Sequence, residues 1–382
     1  MPSFEAVCSW QSEVENERFW FAEPKKVAAD GESTTIAVGG STGTLYLLTL
    51  QGSSLEQTSS VSLSHRTIRR ATWSPQGSLV AVACFEGEVV VVDGGVASPK
   101  IIAQVPGHES EVKGVAWAPA LDEATAGNQV SLLATCGRDK SVWLWEVEQG
   151  EAGGDDDRLH LECLSVGTGH AGDVKSVEFG PRCSALGPVL LSASYDDTIR
   201  VWAPQLDASA EFEDDAELEQ EWACVGVARG HTSTVWDLAV QHDIADVLSV
   251  SADGSIRRWT PASTHALTLG AEQDALSCTG VLRNVSDRPL YSIARYGEWF
   301  VVAGGDNNLR LFADRQFRPI APEGADAMDA EEAAVSPLAE VANAHASDVN
   351  SVRLVGSPST DSAFIVTTGD DGAVRVWKVN FA

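Results

Sequence analysis

The sequence predicts an all-β fold, a seven-bladed propeller of four-stranded blades, on three observations. A His, an Asp and a Trp recur at matched places: Gly107-His108 with Asp139 and Trp145, Gly169-His170 with Asp196 and Trp202, Gly230-His231 with Asp253 and Trp259, and Ala344-His345 with Asp371 and Trp377. In all four the Asp lies six positions before the Trp. Each Asp sits in a turn between two short β-rich runs, as in Leu190-Leu191-Ser192-Ala193-Ser194, Tyr195-Asp196-Asp197 and Thr198-Ile199-Arg200-Val201-Trp202, which is the pattern of a hairpin. Weaker copies complete a set of seven units, and self-similarity of this kind marks a repeat architecture.

Taken in chain order, the apolar stretch from Phe4 to Trp10 precedes the first unit. It is expected to supply the outer strand of the last blade and close the ring, so that few strand edges stay exposed. The first unit, Ile36-Ala37-Val38-Gly39-Gly40-Ser41-Thr42-Gly43-Thr44-Leu45-Tyr46, is the most degenerate. The second, Phe85-Glu86-Gly87 before Val89-Val90-Val91-Val92, has lost its Asp and Trp but keeps Ser64-His65 and Trp73-Ser74-Pro75. The third, fourth, fifth and seventh are the complete units. The sixth, Gly304-Gly305-Asp306-Asn307 before Leu309-Arg310-Leu311-Phe312, keeps the Asp, while Ser286 stands where His would be. One propeller then spans residues 1–382, the WD40 type of repeat fold.

A small hydroxyl residue lies four positions before each Asp: Thr135, Ser192, Ser249 and Thr367. The Asp can orient the imidazole, the imidazole can reach the hydroxyl, and the hydroxyl can reach the indole N–H. A satisfied buried network of this kind stabilises and specifies a sheet. A catalytic His-Asp-Ser set would occur once, on a cleft, whereas this one recurs in each complete repeat, so these residues read as structural.

Formal net charge is −29 over 382 residues, which argues against a general nucleic-acid or anionic-membrane binder. The seven cysteines form no Cys-x-x-Cys and read as reduced thiols, so no metal site and no cofactor is expected. No stretch reads as a signal peptide or a membrane span, and a soluble intracellular protein follows. Much of the negative charge sits in insertions near 148–158, 205–221 and 321–338, expected as solvated loops between the third and fourth strands of their blades.

The residue five after each repeat His, or its aligned equivalent, should line one rim of the central channel. Round the ring these are Trp20, Arg69, Lys113, Lys175, Trp236, Tyr291 and Asn350. Arg66, Arg70 and Arg138 lie close by in sequence, and Tyr195 on the blade-four turn joins the same set. Aromatics with Arg are the material of interface hot spots, and a basic rim would bind carboxylates, with Arg as a bidentate clamp. The bland alternative is pairing with neighbours such as Glu109, Glu111 and Asp173.

Particular stretches carry a closer likeness. Gly107-His108-Glu109-Ser110-Glu111-Val112-Lys113-Gly114-Val115-Ala116-Trp117-Ala118-Pro119 and Leu133-Ala134-Thr135-Cys136-Gly137-Arg138-Asp139-Lys140-Ser141-Val142-Trp143-Leu144-Trp145-Glu146 resemble the third blade of the WD40 subunit of the cytosolic iron–sulfur assembly (CIA) targeting complex. Asp173-Val174-Lys175, Ser194-Tyr195-Asp196-Asp197-Thr198, Ser233-Thr234-Val235-Trp236 and Ala344-His345-Ala346-Ser347-Asp348-Val349-Asn350 support it. The resemblance implies a non-enzymatic scaffold in cytoplasm and nucleus. Its implied partners are a MIP18/DUF59-type protein, a HEAT-repeat CIA protein and iron–sulfur client proteins, some held by a C-terminal aromatic residue, with neither nucleic acid nor membrane. It implies rim roles for Arg138 and Arg69. Some animal relatives carry a Leu-Tyr-Arg-like run, read by a co-chaperone, where this chain has Val201-Trp202-Ala203-Pro204. The competing readings are another WD40 adaptor, such as a ubiquitin-ligase receptor or chromatin-complex subunit, and a propeller enzyme.

Overall fold

Runs of Val, Ile, Leu and Thr broken by Asp-, Gly- and Asn-bearing turns favour strands over helices. The computed structural model describes residues 1–26, 33–63, 66–119, 131–149, 159–180, 188–205, 222–240, 246–261, 276–320, 334–356 and 359–381. Among these, the regular elements are strands and one short 3-10 turn at Asp314–Gln316. The strands form seven antiparallel four-stranded sheets.

The innermost strands of blades one to seven are β2 (Phe19–Pro24), β6 (Ile68–Trp73), β10 (Val112–Trp117), β14 (Val174–Phe179), β18 (Val235–Val240), β22 (Leu290–Tyr296) and β26 (Val349–Val355). Each touches the innermost strands of the blades before and after it, and β2 touches β26, so the ring closes. A hydrogen-bonded ladder between the first and last strands closes it a second time. β1 (Ser3–Gln11) pairs with β28 (Ala373–Asn380) as the outer strand of blade seven, from Ser3↔Asn380 to Gln11↔Ala373. The two ends of the chain therefore share one sheet, as the stretch from Phe4 to Trp10 suggested.

The core is divided rather than central, one apolar cluster per blade-to-blade seam. The repeat tryptophans explain why these seams fill. Trp145, Trp202, Trp259 and Trp377 each pack towards the preceding blade. In the degenerate units the same place is held by Leu48, Val92 and Phe312, which bury without needing a hydrogen-bond partner.

The turn that carries the repeat Asp has one geometry throughout. The next residue is left-handed in all seven blades: Gly43 (φ 72), Gly87 (φ 88), Lys140 (φ 69), Asp197 (φ 68), Gly254 (φ 72), Asn307 (φ 68) and Gly372 (φ 69). Gly, Asn and Asp tolerate that conformation best, and Lys140 is the exception. The acidic insertions lie mostly outside the described residues, as do Ser64 and His65. The strands that flank 150–158, 206–221 and 321–333 are the third and fourth of blades three, four and six. A further gap of the same kind, 262–275, falls in blade five, where composition gave no signal.

Candidate functional site: the channel mouth

Four relays hold the mouth in shape. His170 Nδ1 lies 2.8 Å from Asp196, its Nε2 lies 2.7 Å from Ser192 Oγ, and Trp202 Nε1 donates to the same Oγ at 2.9 Å. Because a carboxylate only accepts, Nδ1 carries the imidazole proton, and the serine donates to Nε2 while accepting from the indole. The sets His108-Asp139-Thr135-Trp145, His231-Asp253-Ser249-Trp259 and His345-Asp371-Thr367-Trp377 repeat these bonds. All four hydroxyl residues are fully buried, so no substrate reaches them as nucleophiles.

The incomplete units solve the same problem with other atoms. Ser286 Oγ donates to Asp306 at 2.9 Å in place of an imidazole. In blade one Glu17, almost fully buried, accepts from Thr42 and from Tyr46 Oη, the latter at 2.9 Å. There the acid has moved to the entry loop and the hydroxyls to the hairpin, an inversion that no His-Asp-Trp pattern reveals.

The mouth itself is built by seven equivalent β-bulges. In every blade the register between the first and second strands slips at one residue of the first: Trp20, Arg69, Lys113, Lys175, Trp236, Tyr291 and Asn350. A bulge leaves its extra residue outside the ladder and re-aims its side chain. All seven therefore point to one place, half-buried around a cavity of about 320 Å³. The positional rule found these seven residues, but the backbone device behind it was invisible in the sequence.

Of the two readings of this rim, a basic surface or cations paired with neighbouring carboxylates, the contacts follow the second at Glu111 and Asp173. The side chains are largely satisfied by one another. Arg69 lies over the Trp20 ring at 4.9 Å and is paired with Glu111. Lys113 pairs with Glu111 at 2.7 Å and with Asp173 at 3.7 Å, and Lys175 pairs with Asp173 at 3.6 Å. Lys175 lies over Trp236 at 4.8 Å, Trp236 packs edge-on against Tyr291 at 5.0 Å, and Tyr291 Oη donates to Asp348 at 3.3 Å. Asn350 donates to the backbone of Phe19 at 2.9 Å, returning to blade one. Three cations facing two carboxylates leave one net positive charge on that arc, so it is a largely compensated, pre-positioned surface. Glu109 takes no part; its backbone N–H donates to Asp139. Burial pushes the Glu111 carboxyl up, but Lys113 and Arg69 outweigh this and hold it below its ordinary value. Burial and the neighbouring Lys113 depress the Lys175 amine.

Arg138 and Tyr195 sit one step outward, on the hairpin turns of blades three and four, and do not line the cavity. Tyr195 is 61% exposed and lies against Lys175 at 5.4 Å. The exposed Arg138 guanidinium makes no ion pair among the described residues; its backbone N–H donates to Glu111 O at 2.8 Å. Val201, Trp202 and Ala203 are fully buried in blade four, so that stretch presents no surface.

Beneath the mouth lies a network that the sequence reading missed. Asp237, 1% exposed, accepts from Arg70 at 3.2 Å, Arg353 at 2.9 Å, Ser292 Oγ at 3.0 Å and Ser176 Oγ at 3.3 Å. Arg70 also reaches Glu178 at 2.8 Å, and Arg353 reaches Glu23 at 3.5 Å. Six of the seven blades are thus joined across the channel; blade three has Gly114 at the corresponding position. Burial raises the Glu23 and Glu178 carboxyls. It acts on Asp237 too, but Arg353 and Arg70 together hold that carboxyl below its ordinary value. The available signal was a charge inside an otherwise apolar inner strand, as in Val235-Trp236-Asp237-Leu238. Among the described residues, no group of three or more His, Cys, Asp or Glu is placed to hold a metal ion. Among the described residues, no helix is long and apolar enough to cross a membrane.

Comparison with known proteins agrees with the blade assignment. The WD domain, G-beta repeat family matches residues 99–146, 161–203, 222–260 and 337–378, the stretches ending in the four complete relays. The chain is 33% identical over 320 residues to the probable cytosolic iron-sulfur protein assembly protein 1 of Chaetomium globosum, a match covering 72% of this chain and 65% of that protein, just under two thirds of its length. It is 28% identical to the protein of that name from Vanderwaltozyma polyspora, over 82% of each chain. For Scheffersomyces stipitis the identity is 30%, over 73% of this chain and 68% of the relative. With this repeat fold and these relatives, the chain belongs to the WD40-repeat family of cytosolic iron–sulfur protein assembly protein 1.

Proposed function

We propose that this chain is a non-catalytic adaptor of cytosolic iron–sulfur assembly, working in the cytoplasm by holding other assembly components on its channel-mouth face. The partners proposed are a MIP18/DUF59-type protein and a HEAT-repeat protein, with iron–sulfur apoproteins as clients and the cluster as cargo. The observation that carries this reading is the ring of seven bulge-delivered side chains. It gathers aromatics and cations at one mouth and fixes them through mutual contacts, so little side-chain entropy remains to be lost on docking. Arg138 and Tyr195, exposed beside the mouth, extend the surface. The relatives' names favour this reading over an adaptor of ubiquitin ligases or chromatin complexes. Buried relay hydroxyls speak against a hydrolase.

The test is a tagged pull-down from native extract with mass spectrometry, wild type against Arg138→Glu. Recovery of a MIP18-type protein, a HEAT-repeat protein and iron–sulfur enzymes, lost in the variant at unchanged melting temperature, is expected. Recovery of cullin-type or chromatin subunits instead would remove the assignment and leave the propeller intact.

A further inference from the structure

A propeller leaves one strand edge unpaired per blade, and natural edges are usually blunted by polar residues, shortness or cover. Three of the edges here follow that rule. The outer strand of blade one, β5 (Ser54–Ser62), is mostly Ser, Thr, Glu and Gln. That of blade six, β25 (Ala339–Val341), has three residues. That of blade four, β17 (Trp222–Ala228), is buried from Val225 to its end. Blade three departs from it. Its outer strand β13 (Leu159–Gly167) runs nine residues, and no strand pairs with its outer edge among the described residues. Leu164 is 36% and Val166 45% exposed on it. Exposed apolar side chains beside open backbone groups mark an interaction surface.

The charges on the same blade say what should cover it. Glu162 of β13 stands directly opposite Glu146 of β12 (Val142–Gln149), and Glu148 lies opposite His160. Like charges placed opposite one another destabilise a sheet, and a cation laid over them would relieve the repulsion. Burial, Glu148 and Glu162 all push the Glu146 carboxyl up, as such crowding requires. A second copy of this chain would bring the same carboxylates and a net charge of −29, so it is the poorer occupant. The pairing of 159–163 with β12 is regular and is interrupted by the bulge at Leu164, which leaves a straight edge followed by the two apolar side chains.

We infer that the outer edge of blade three is a second docking surface, which takes an extended, cationic strand of a partner protein by β-sheet addition. Main-chain hydrogen bonds along 159–163 would supply affinity, Glu146 and Glu162 the charge preference, and Leu164 and Val166 the apolar contact. The surface is separate from the mouth and does not depend on the role assigned there.

The test uses the purified full chain and two synthetic peptides of about nine residues, one alternating Val with Lys and one alternating Val with Glu, matched to the length of β13. Hydrogen exchange should show the Val-Lys peptide protecting amides within 159–167 and the Val-Glu peptide protecting none. The double variant Leu164→Lys/Val166→Lys should weaken Val-Lys binding by about tenfold or more. A Glu146→Lys/Glu162→Lys variant should transfer the preference to the Val-Glu peptide, and Trp236→Ala should change neither. Protection spread over the whole acidic surface, or affinity indifferent to both double variants, would overturn the inference.

Discussion

At the residue scale, His170 shows how much chemistry one repeat position carries. Its two nitrogens tie Asp196 on the hairpin to Ser192 and Trp202 in the seam. His170→Ala leaves Asp196 short of its main donor and opens a cavity above the indole. The expected cost is about 2–4 kcal/mol, read as a lower midpoint in denaturant unfolding; an unchanged midpoint would remove the structural reading of the relay. Acid should act on the same groups. Burial holds His170, His231 and His345 below the ordinary imidazole range, despite the aspartate beside each. The unfolded chain takes up protons near pH 6.5 that the native relays refuse, so their contribution is full above that pH and falls as pH drops below it. The relay aspartates add a second loss at lower pH. Asp139, raised by burial but lowered further by His108 and Ser141, lies at about 2. Melting temperature should therefore be level from about pH 8 to 7 and fall between about 6.5 and 5, before ordinary carboxylates titrate. A flat profile to pH 5 would contradict this. The complete relays were legible because four spaced residue types recur. The Ser286 and Glu17 substitutes were legible only in part or not at all, because different atoms close the same gap.

At the scale of strands and turns, the repeat glycines before His have a packing reason. A Cβ on Gly169 (φ +142) would meet Arg200 Nη1 at 2.8 Å, and one on Gly230 (φ +159) would meet Arg257 Nη1 at 2.9 Å. In blade seven the same place is Ala344, and Arg375 turns instead to Asp371 at 2.8 Å. Gly169→Ala should destabilise by about 1–2 kcal/mol in thermal unfolding, from strain and displacement of the guanidinium; a neutral result would mean that Arg200 moves freely. The first-strand bulges are harder to read. Offsets from His named the seven mouth residues, yet nothing in those residue types indicates a register slip, which depends on pairing with the second strand. Pairing of the rim with Glu111 and Asp173 stood in the sequence only as the alternative to a basic rim, and the pairs Arg69–Glu111 and Lys113–Asp173 that cross blades join residues far apart in the chain.

At the scale of the whole molecule, two sets of contacts hold the ring. Each seam is sealed locally by an apolar cluster, and the seams are joined across the channel through Asp237. Asp237→Ala would leave Arg70 and Arg353 buried with only their second carboxylates, and the expected cost is roughly 3–5 kcal/mol. Chemical unfolding checks it, and a loss under about 1 kcal/mol would mean that water replaces the carboxylate. The number of blades and the closing strand were written in the repeat and in the stretch from Phe4 to Trp10. The cross-channel network was not, because its members belong to different repeats and meet only when the ring is closed. The most direct test of the mouth as a docking face is the affinity of the purified chain for a purified MIP18-type protein, wild type against Trp236→Ala, with melting temperatures recorded alongside. A fall of about tenfold or more at nearly unchanged melting temperature is expected. Equal affinity in the two proteins would contradict the assignment of this face and move the docking surface elsewhere on the propeller.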